Sequence, residues 1–357
     1  MIMADSTDIE WARHPVTGHG ATWNPVTGCE LASPGCTNCY AMKLAGTRLR
    51  HHPSRAGLTI PGKKGPVWTG EVRFNERWLS QPLRWTAPRG IFVAAHGDLF
   101  ADGVTDAMLD LIFAVMAFST QHVFFVLTKR PERMRAYLTT LTDAYNGGGQ
   151  TFTKRIGDPA ADVANSPCAA GAVEENWPLH HVWLGTSVES QEWADRRRQP
   201  MQDLSASGWT TFVSYEPAIG QVDWTGWQFL RWLISGGESG PRASHPDWHR
   251  AARDFCRAHR IAYFFKQWGN WSPAPWKLDR LLGESDDDYK ARSENLAATH
   301  AIRCWDGYVH KPDHKPWSIE RAMIDEIWAG IRHHKNKKAA GRLLDGVEHN
   351  GFPRLEG

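Results

Sequence analysis

Six short runs of β-branched and aromatic residues recur along the middle of the chain: GIFVAAHGD (90–98), HVFFVLTKR (122–130), HVWLGTSVE (181–189), TTFVSYEP (210–217), RWLISGGES (231–239) and IAYFFKQWG (261–269). Each reads as a strand, because a nearly continuous apolar stretch closed by a polar or glycine-rich tail suits a sheet covered on both faces. Most are separated by stretches with helical apolar spacing. TDAMLDLIFAVMAF (105–118) opens on a Thr/Asp capping signal, PERMRAYLTTL starts on a proline suited to a first helical turn, and SQEWADRRRQPMQDL and PDWHRAARDFCRAH follow the same layout. With a further short strand at ATWNPV the count reaches about seven, so the pattern predicts an α/β fold with mainly parallel strands, a full or partial (β/α) barrel. An open doubly wound sheet is the alternative.

The runs end alike. Their tails carry His96-Gly97-Asp98, Thr128-Lys129-Arg130, Thr186-Ser187 with Glu189, Tyr215-Glu216, Gly236-Gly237-Glu238-Ser239 and Lys266-Gln267-Trp268. In a parallel barrel these ends share one rim, where binding sites are built, although any single strand end is polar simply because it meets solvent. GGESG lacks the lysine and the spacing of a phosphate loop.

Two stretches depart from the pattern. Residues 146–178 are rich in Gly, Ala, Pro and Asn and read as an insertion or mobile loop; residues 273–317, with ESDDDYK and HKPDHKP, read as solvated surface. The expected organisation is therefore a barrel domain over 9–272 and a C-terminal extension over 273–357, which ends in the basic IRHHKNKKAAGR.

A net charge of +2 over 357 residues excludes a globally polycationic protein, so any nucleic acid would meet a local patch. No apolar run reaches a membrane span and the N-terminus lacks a signal-peptide layout, so a cytoplasmic protein is expected. The nineteen tryptophans read mainly as packing.

Chemistry concentrates in GCELASPGCTNCYA (28–41), which holds Cys29, Cys36 and Cys39, half of the six cysteines. The segment follows the first strand and runs into YAMKLAGTRLR, so it occupies the first strand-to-helix loop on the rim. A disulfide framework is the weakest reading in the cytosol. A structural zinc site closes with four ligands, and neither a second cysteine pair nor a diagnostically spaced histidine among His14, His19, His51, His52 and His96 supplies the fourth. A cysteine nucleophile lacks a histidine tied to it. Three thiolates with one metal position open suit an iron–sulfur cluster that binds something else, and zinc stays as the alternative.

TWNPVTGCELASPGCTNCYA, GDLFADGV, VLTKRPERM, WPLHHVWLGTSVESQEWADRR, SYEPAIGQVD, ISGGESGPRA, FFKQWGNW and KKAAGRLLDG, in this order from about Ile9 to Pro353, resemble the phage- and prophage-associated three-cysteine-motif proteins. That family is in turn similar to the radical S-adenosylmethionine enzymes of the spore photoproduct lyase branch. The resemblance implies a partial barrel with a [4Fe–4S] cluster on Cys29, Cys36 and Cys39. It also implies S-adenosylmethionine on the fourth iron, cleaved by an electron from an external donor to methionine and a 5′-deoxyadenosyl radical. By position, Asp98 would hold the cofactor's ammonium, Lys129, Ser187 and Glu216 its carboxylate and ribose, and Gly236 and Gly237 the approach to adenine. Glu238, Lys266, Gln267 and Trp268 would face the substrate. Six residues separate the first two cysteines where those enzymes commonly have three, and Asn38 stands where an aromatic residue often precedes the last.

Two function classes follow: a radical enzyme acting on a nucleic acid or nucleotide inside a bacterial host, or a non-catalytic zinc module that binds nucleic acid or protein.

Overall fold

The seven expected strands form a single sheet. In the computed structural model, β1 (Gly20–Trp23), β2 (Gly90–Val93), β3 (Val123–Thr128), β4 (Val182–Ser187), β5 (Thr210–Tyr215), β6 (Trp232–Gly236) and β7 (Ala262–Gln267) lie side by side in chain order. All run parallel, and the sheet curls into a half-barrel flanked by helices. The structure describes residues 6–147, 150–165, 176–273 and 337–354, with short pieces at 285–288, 300–303, 309–310 and 329–334.

Alternation along the strands builds two apolar layers. Successive side chains of a strand point to opposite faces. Phe92, Phe125, Trp183, Phe212, Trp232, Ile234 and Phe264 therefore fill the concave side, with Trp11 packed among them. Ile91, Val93, Phe124, Val126, Val182, Leu184, Val213 and Leu233 face the helices. Helix α1 (Tyr40–Gly46) follows the cysteine loop, and α2 (Asp106–Phe118), α3 (Pro131–Asn146), α4 (Gln191–Ala206) and α5 (Pro246–His259) follow the later strands. The expected cap of α2 forms: Thr105 accepts from the Met108 amide at 3.3 Å.

Gly185, on the concave face of β4, is where the aromatic floor is tightest. A Cβ there would lie 2.3 Å from Phe212 Cζ. Gly185→Ala should cost about 1–3 kcal/mol by overpacking, although glycine-to-alanine in a strand ordinarily stabilises. Urea unfolding measures this, and Phe212→Leu in the same chain should recover most of the loss. An unchanged midpoint for Gly185→Ala would refute the packing.

Part of the stretch 146–178, expected as an insertion or mobile loop, is helical. Gln150–Phe152, a π-turn over Thr153–Gly157 and Asp158–Ala164 are helical, and Phe152, Ile156 and Ala160 are buried. The four-residue spacing of these three side chains packs one stripe on α2, and Arg155 grips Asp110 through two bonds of 2.8 and 2.9 Å. The loop-like composition conceals this spacing. Residues 166–175, with Cys168, and Cys304 lie outside the described residues.

The chain also returns to the barrel after the extension begins. The Phe265 amide donates to His349 O and the Gly351 amide to Tyr263 O, both at 2.9 Å, while Phe352 packs on Trp232. These bonds cover the exposed edge of β7, which would otherwise present unpaired backbone groups. Trp271–Pro273, where the barrel domain passes into the extension, joins Ala329–His333, His300–Arg303 and Val309–His310 in a four-stranded antiparallel sheet. Among the described residues no helix is long and apolar enough to cross a membrane.

Candidate metal centre on the strand-end rim

The loop between β1 and α1 is shaped by glycines and a proline turn. At Gly28 (φ +97°) a Cβ would meet Glu71 O at 2.3 Å, so only glycine fits. Pro34–Cys36 forms one 3₁₀ turn, Cys39 follows its amide bond to Cys36 O (3.2 Å), and α1 starts at Tyr40 with Cys39 as its N-cap residue. Ala41, Met42 and Ala45 of α1 pack on Leu58 and Trp68, and Cys29 and Cys39 border this small core.

The three thiols are neighbours. Burial pushes Cys29 well above the ordinary thiol range; Asp98 adds to that, Arg130 opposes it, and the other two cysteines raise it further. Cys39 is raised by burial and by Cys36, against the helix amides of Met42 and Ala41 and the charge of Lys129. The Cys36 sulfur accepts from the Ala32 amide at 3.4 Å. A bound cation would reverse this balance, since metal ligands are thiolates and the ion is the largest local charge. Among the described residues no three His, Cys, Asp or Glu side chains converge as one metal ion requires. Thiolates that each hold a different iron of a cluster need no such convergence.

Strand-end residues lock the loop in place. Glu189, fully buried, accepts from Ser33 Oγ at 2.6 Å, from Arg197 Nη1 at 2.9 Å and from Lys129 Nζ. A Cβ on Gly35 would sit 2.6 Å from the same carboxylate. Arg242, paired with Glu238, donates to Pro34 O at 3.0 Å. Arg130 joins Glu30 at 2.7 Å to Asp98 at 3.2 Å. Burial is the largest influence on Glu189 and pushes its carboxyl up, yet Lys129 and Arg197 together hold it below the usual carboxylate range.

The residues singled out by sequence divide into three groups. Lys129, Ser187, Glu216 and Lys266 continue the concave rows above the aromatic floor. Lys266 Nζ donates to both Glu216 oxygens at 2.8 Å, and Gln267 Nε2 to one of them at 3.2 Å. At Gly236 a Cβ would sit in ordinary van der Waals contact with Gln267 O and the Glu216 carboxylate, each 3.5 Å away. Asp98 has its oxygens occupied: Phe100 N at 2.9 Å, Thr128 Oγ1 at 2.7 Å, Lys129 N at 3.1 Å and Arg130. A cofactor ammonium would have to displace one of these donors, and the observed work of Asp98 is to hold the tip of β3. Two residues are turned to packing instead. At Gly237 the missing side chain is replaced by Trp268 O, 2.1 Å from where a Cβ would be, and Trp268 is buried against Phe265 and His249 with its indole N–H on Leu343 O at 2.9 Å.

The sequence reading underrates Tyr40, His96 and Arg55. Ala94, with φ +52°, bends the chain past β2 so that Ala95 O receives the Tyr40 hydroxyl and the His96 ring stands edge-on to Tyr40 at 6.1 Å. Burial, helped by the Arg55 charge, pushes His96 down to about 4, so its imidazole is neutral at physiological pH. A left-handed non-glycine residue here is strain of the kind that collects at functional sites.

A cavity of about 920 Å³ opens at the other end of the sheet, among the strand beginnings, with His122, His181, Arg231, Arg260 and Arg354 in its walls. Cys256 borders it, whereas Cys29, Cys36 and Cys39 do not.

A family model described as a protein of unknown function, DUF5131, matches residues 6–353. No curated protein and no solved structure matches the chain.

Proposed function

We propose that this chain, which belongs to the DUF5131 family of proteins of unknown function, is a radical S-adenosylmethionine enzyme acting on a nucleic acid or nucleotide. The observation that supports this most is the joint placement of three neighbouring thiols and a polar concave row at the strand-end rim of a parallel half-barrel, with the thiol-bearing loop clamped from three sides. Cys29, Cys36 and Cys39 would hold a [4Fe–4S] cluster with one iron left for the cofactor. Such a cluster, once reduced by an external donor, supplies the electron that cleaves S-adenosylmethionine to methionine and a 5′-deoxyadenosyl radical, which takes a hydrogen atom from substrate.

The protein's part is orientation and exclusion of water. Glu189 and Arg242 keep the loop seated, and the aromatic floor around Trp183 and Trp232 closes the barrel below. Ser187, Glu216 and the backbone at Gly236 line the space above that floor, where the cofactor's polar groups would lie. Lys266 and Gln267 fix the Glu216 carboxylate in one orientation, so its direction is set before anything binds.

Anaerobic reconstitution followed by reduction with dithionite tests the reading. Methionine and 5′-deoxyadenosine should appear slowly without substrate and faster when the right member of a panel of DNA, RNA, nucleotides and peptides is added. A brown, fully iron-loaded protein that forms neither product refutes the enzyme; a colourless protein carrying a single zinc supports the binding module instead.

A further inference from the structure

Arg55 is a buried cation without a counter-charge. It is 4% exposed, its Nη1 donates to Ser54 Oγ, its Nε has no partner, and no carboxylate meets it among the described residues. The cations on the strand-end side of the cysteine loop are paired: Lys129 and Arg197 with Glu189, Arg130 with Glu30 and Asp98, Arg242 with Glu238, Lys266 with Glu216. Isolated buried charge is costly, so natural interiors pair it with an opposite charge. Burial pulls the Arg55 guanidinium down to about 10, the direction of a cation lacking an anion.

The side chain is also held where it is. Ser54 O accepts from Thr27 Oγ1 at 2.6 Å, Ser54 Oγ meets His52 Nδ1 at 2.7 Å, and Arg73 bonds Pro53 O and Ala56 O. The guanidinium carbon lies 5.7 Å from the centre of the Trp78 ring. Tyr40 and His96 are near enough to feel its charge, and Tyr40, itself 51% exposed, follows Cys39 directly. Arg55 does not influence the thiols as Arg130 and Lys129 do. Its unspent charge is directed to something other than the cysteines.

We propose that Arg55 seats an oxyanion, a phosphate or carboxylate group of a molecule bound on the rim beside Tyr40 and His96. With Nη1 committed to Ser54, Nε and Nη2 remain as the two parallel donors that match two oxygens of one anion. The inference adds a charged group to the substrate or cofactor of the proposed function, and because it is tested on iron-free protein its outcome is separate from that of the cluster.

The full-length apo chain is melted in an anion-poor buffer against increasing sodium phosphate and, separately, sodium acetate, with sodium chloride matching ionic strength. A ligand of the native state raises the melting temperature with concentration, which yields an apparent affinity. At least one of the two anions should stabilise the native chain, and its affinity should fall tenfold or more in Arg55→Gln. Stronger binding of phosphate would identify a phosphorylated ligand and stronger binding of acetate a carboxylate; either supports the seat. Arg55→Lys, which keeps the charge and loses the fork, should bind at least threefold more weakly than native and serves as the comparison if Arg55→Gln does not fold. A native chain that responds to neither anion beyond chloride, or a variant that responds as the native chain does, overturns the proposal.

Discussion

Cys36→Ala protein, reconstituted anaerobically with iron and sulfide, should retain under a tenth of the iron bound by the native chain, and Cys29→Ala and Cys39→Ala should behave alike. Each thiolate neutralises part of the charge of the cluster, and no other cysteine among the described residues is at hand to substitute: Cys256 lies buried in the main core on α5, on the wall of the cavity at the opposite end of the sheet. The apo proteins should nevertheless fold. Cys36 contributes two weak sulfur contacts, with the Ala32 amide at 3.4 Å and Ser33 Oγ at 3.9 Å, while the loop around it is held by Glu189, Arg242 and the Pro34 turn. Loss of iron with an unchanged circular dichroism spectrum is the expected pair of results. Cys256→Ala should bind iron as the native chain does. Equal iron in Cys36→Ala would remove the cysteines from the centre, and with them the enzyme reading.

The second large effect concerns Glu189. Glu189→Gln leaves Arg197, 1% exposed, and Lys129 without their anion in the interior, and removing one partner of a buried ion pair costs about 3–5 kcal/mol. Because Ser33 and Gly35 rest on the same carboxylate, the loss should also loosen the cysteine loop, seen as faster amide exchange over residues 30–39 than over β5. The pH dependence has a definite sign. The folded state holds Glu189 below its ordinary range, so the carboxylate contributes its full stability above the unfolded value, roughly 4.3, and loses it as pH falls through the lower folded value. Urea midpoints of native and Glu189→Gln should therefore differ most near neutrality and draw together in acid. A gap absent at neutral pH, or one that widens on acidification, would show that Glu189 is not the keystone of the rim.

The parts of this architecture legible in the sequence are those encoded by local periodicity. Strands need an unbroken apolar run and helices a repeat near 3.6 residues, so all seven strands and helices such as Asp106–Phe118 can be read one segment at a time. The same reading misses Gln150–Ala164, where small and polar residues dominate and only a few apolar side chains, Phe152, Ile156, Ala160 and Val163, keep the helical spacing. It also treats strand-end chemistry too evenly. Asp98, Glu216 and Trp268 all look available, because a sequence shows that a residue is polar or aromatic and not whether neighbours have already taken its oxygens or covered its ring.

By itself the sequence determined the strand number, the alternation with helices and the address of the three cysteines, in the first strand-to-helix loop. Each depends on order along the chain, and order survives without knowing any long-range contact. Tertiary structure alone decided which polar groups cancel. Glu189 reaches back 156 residues to Ser33, and Arg242 reaches 208 to Pro34. Arg55 ends with no acid at all among the described residues. Those outcomes depend on how far the sheet curls and on which tips it brings over the loop. Electrostatic energy depends on separation in space and on exclusion of water, and neither is a property of spacing in the chain.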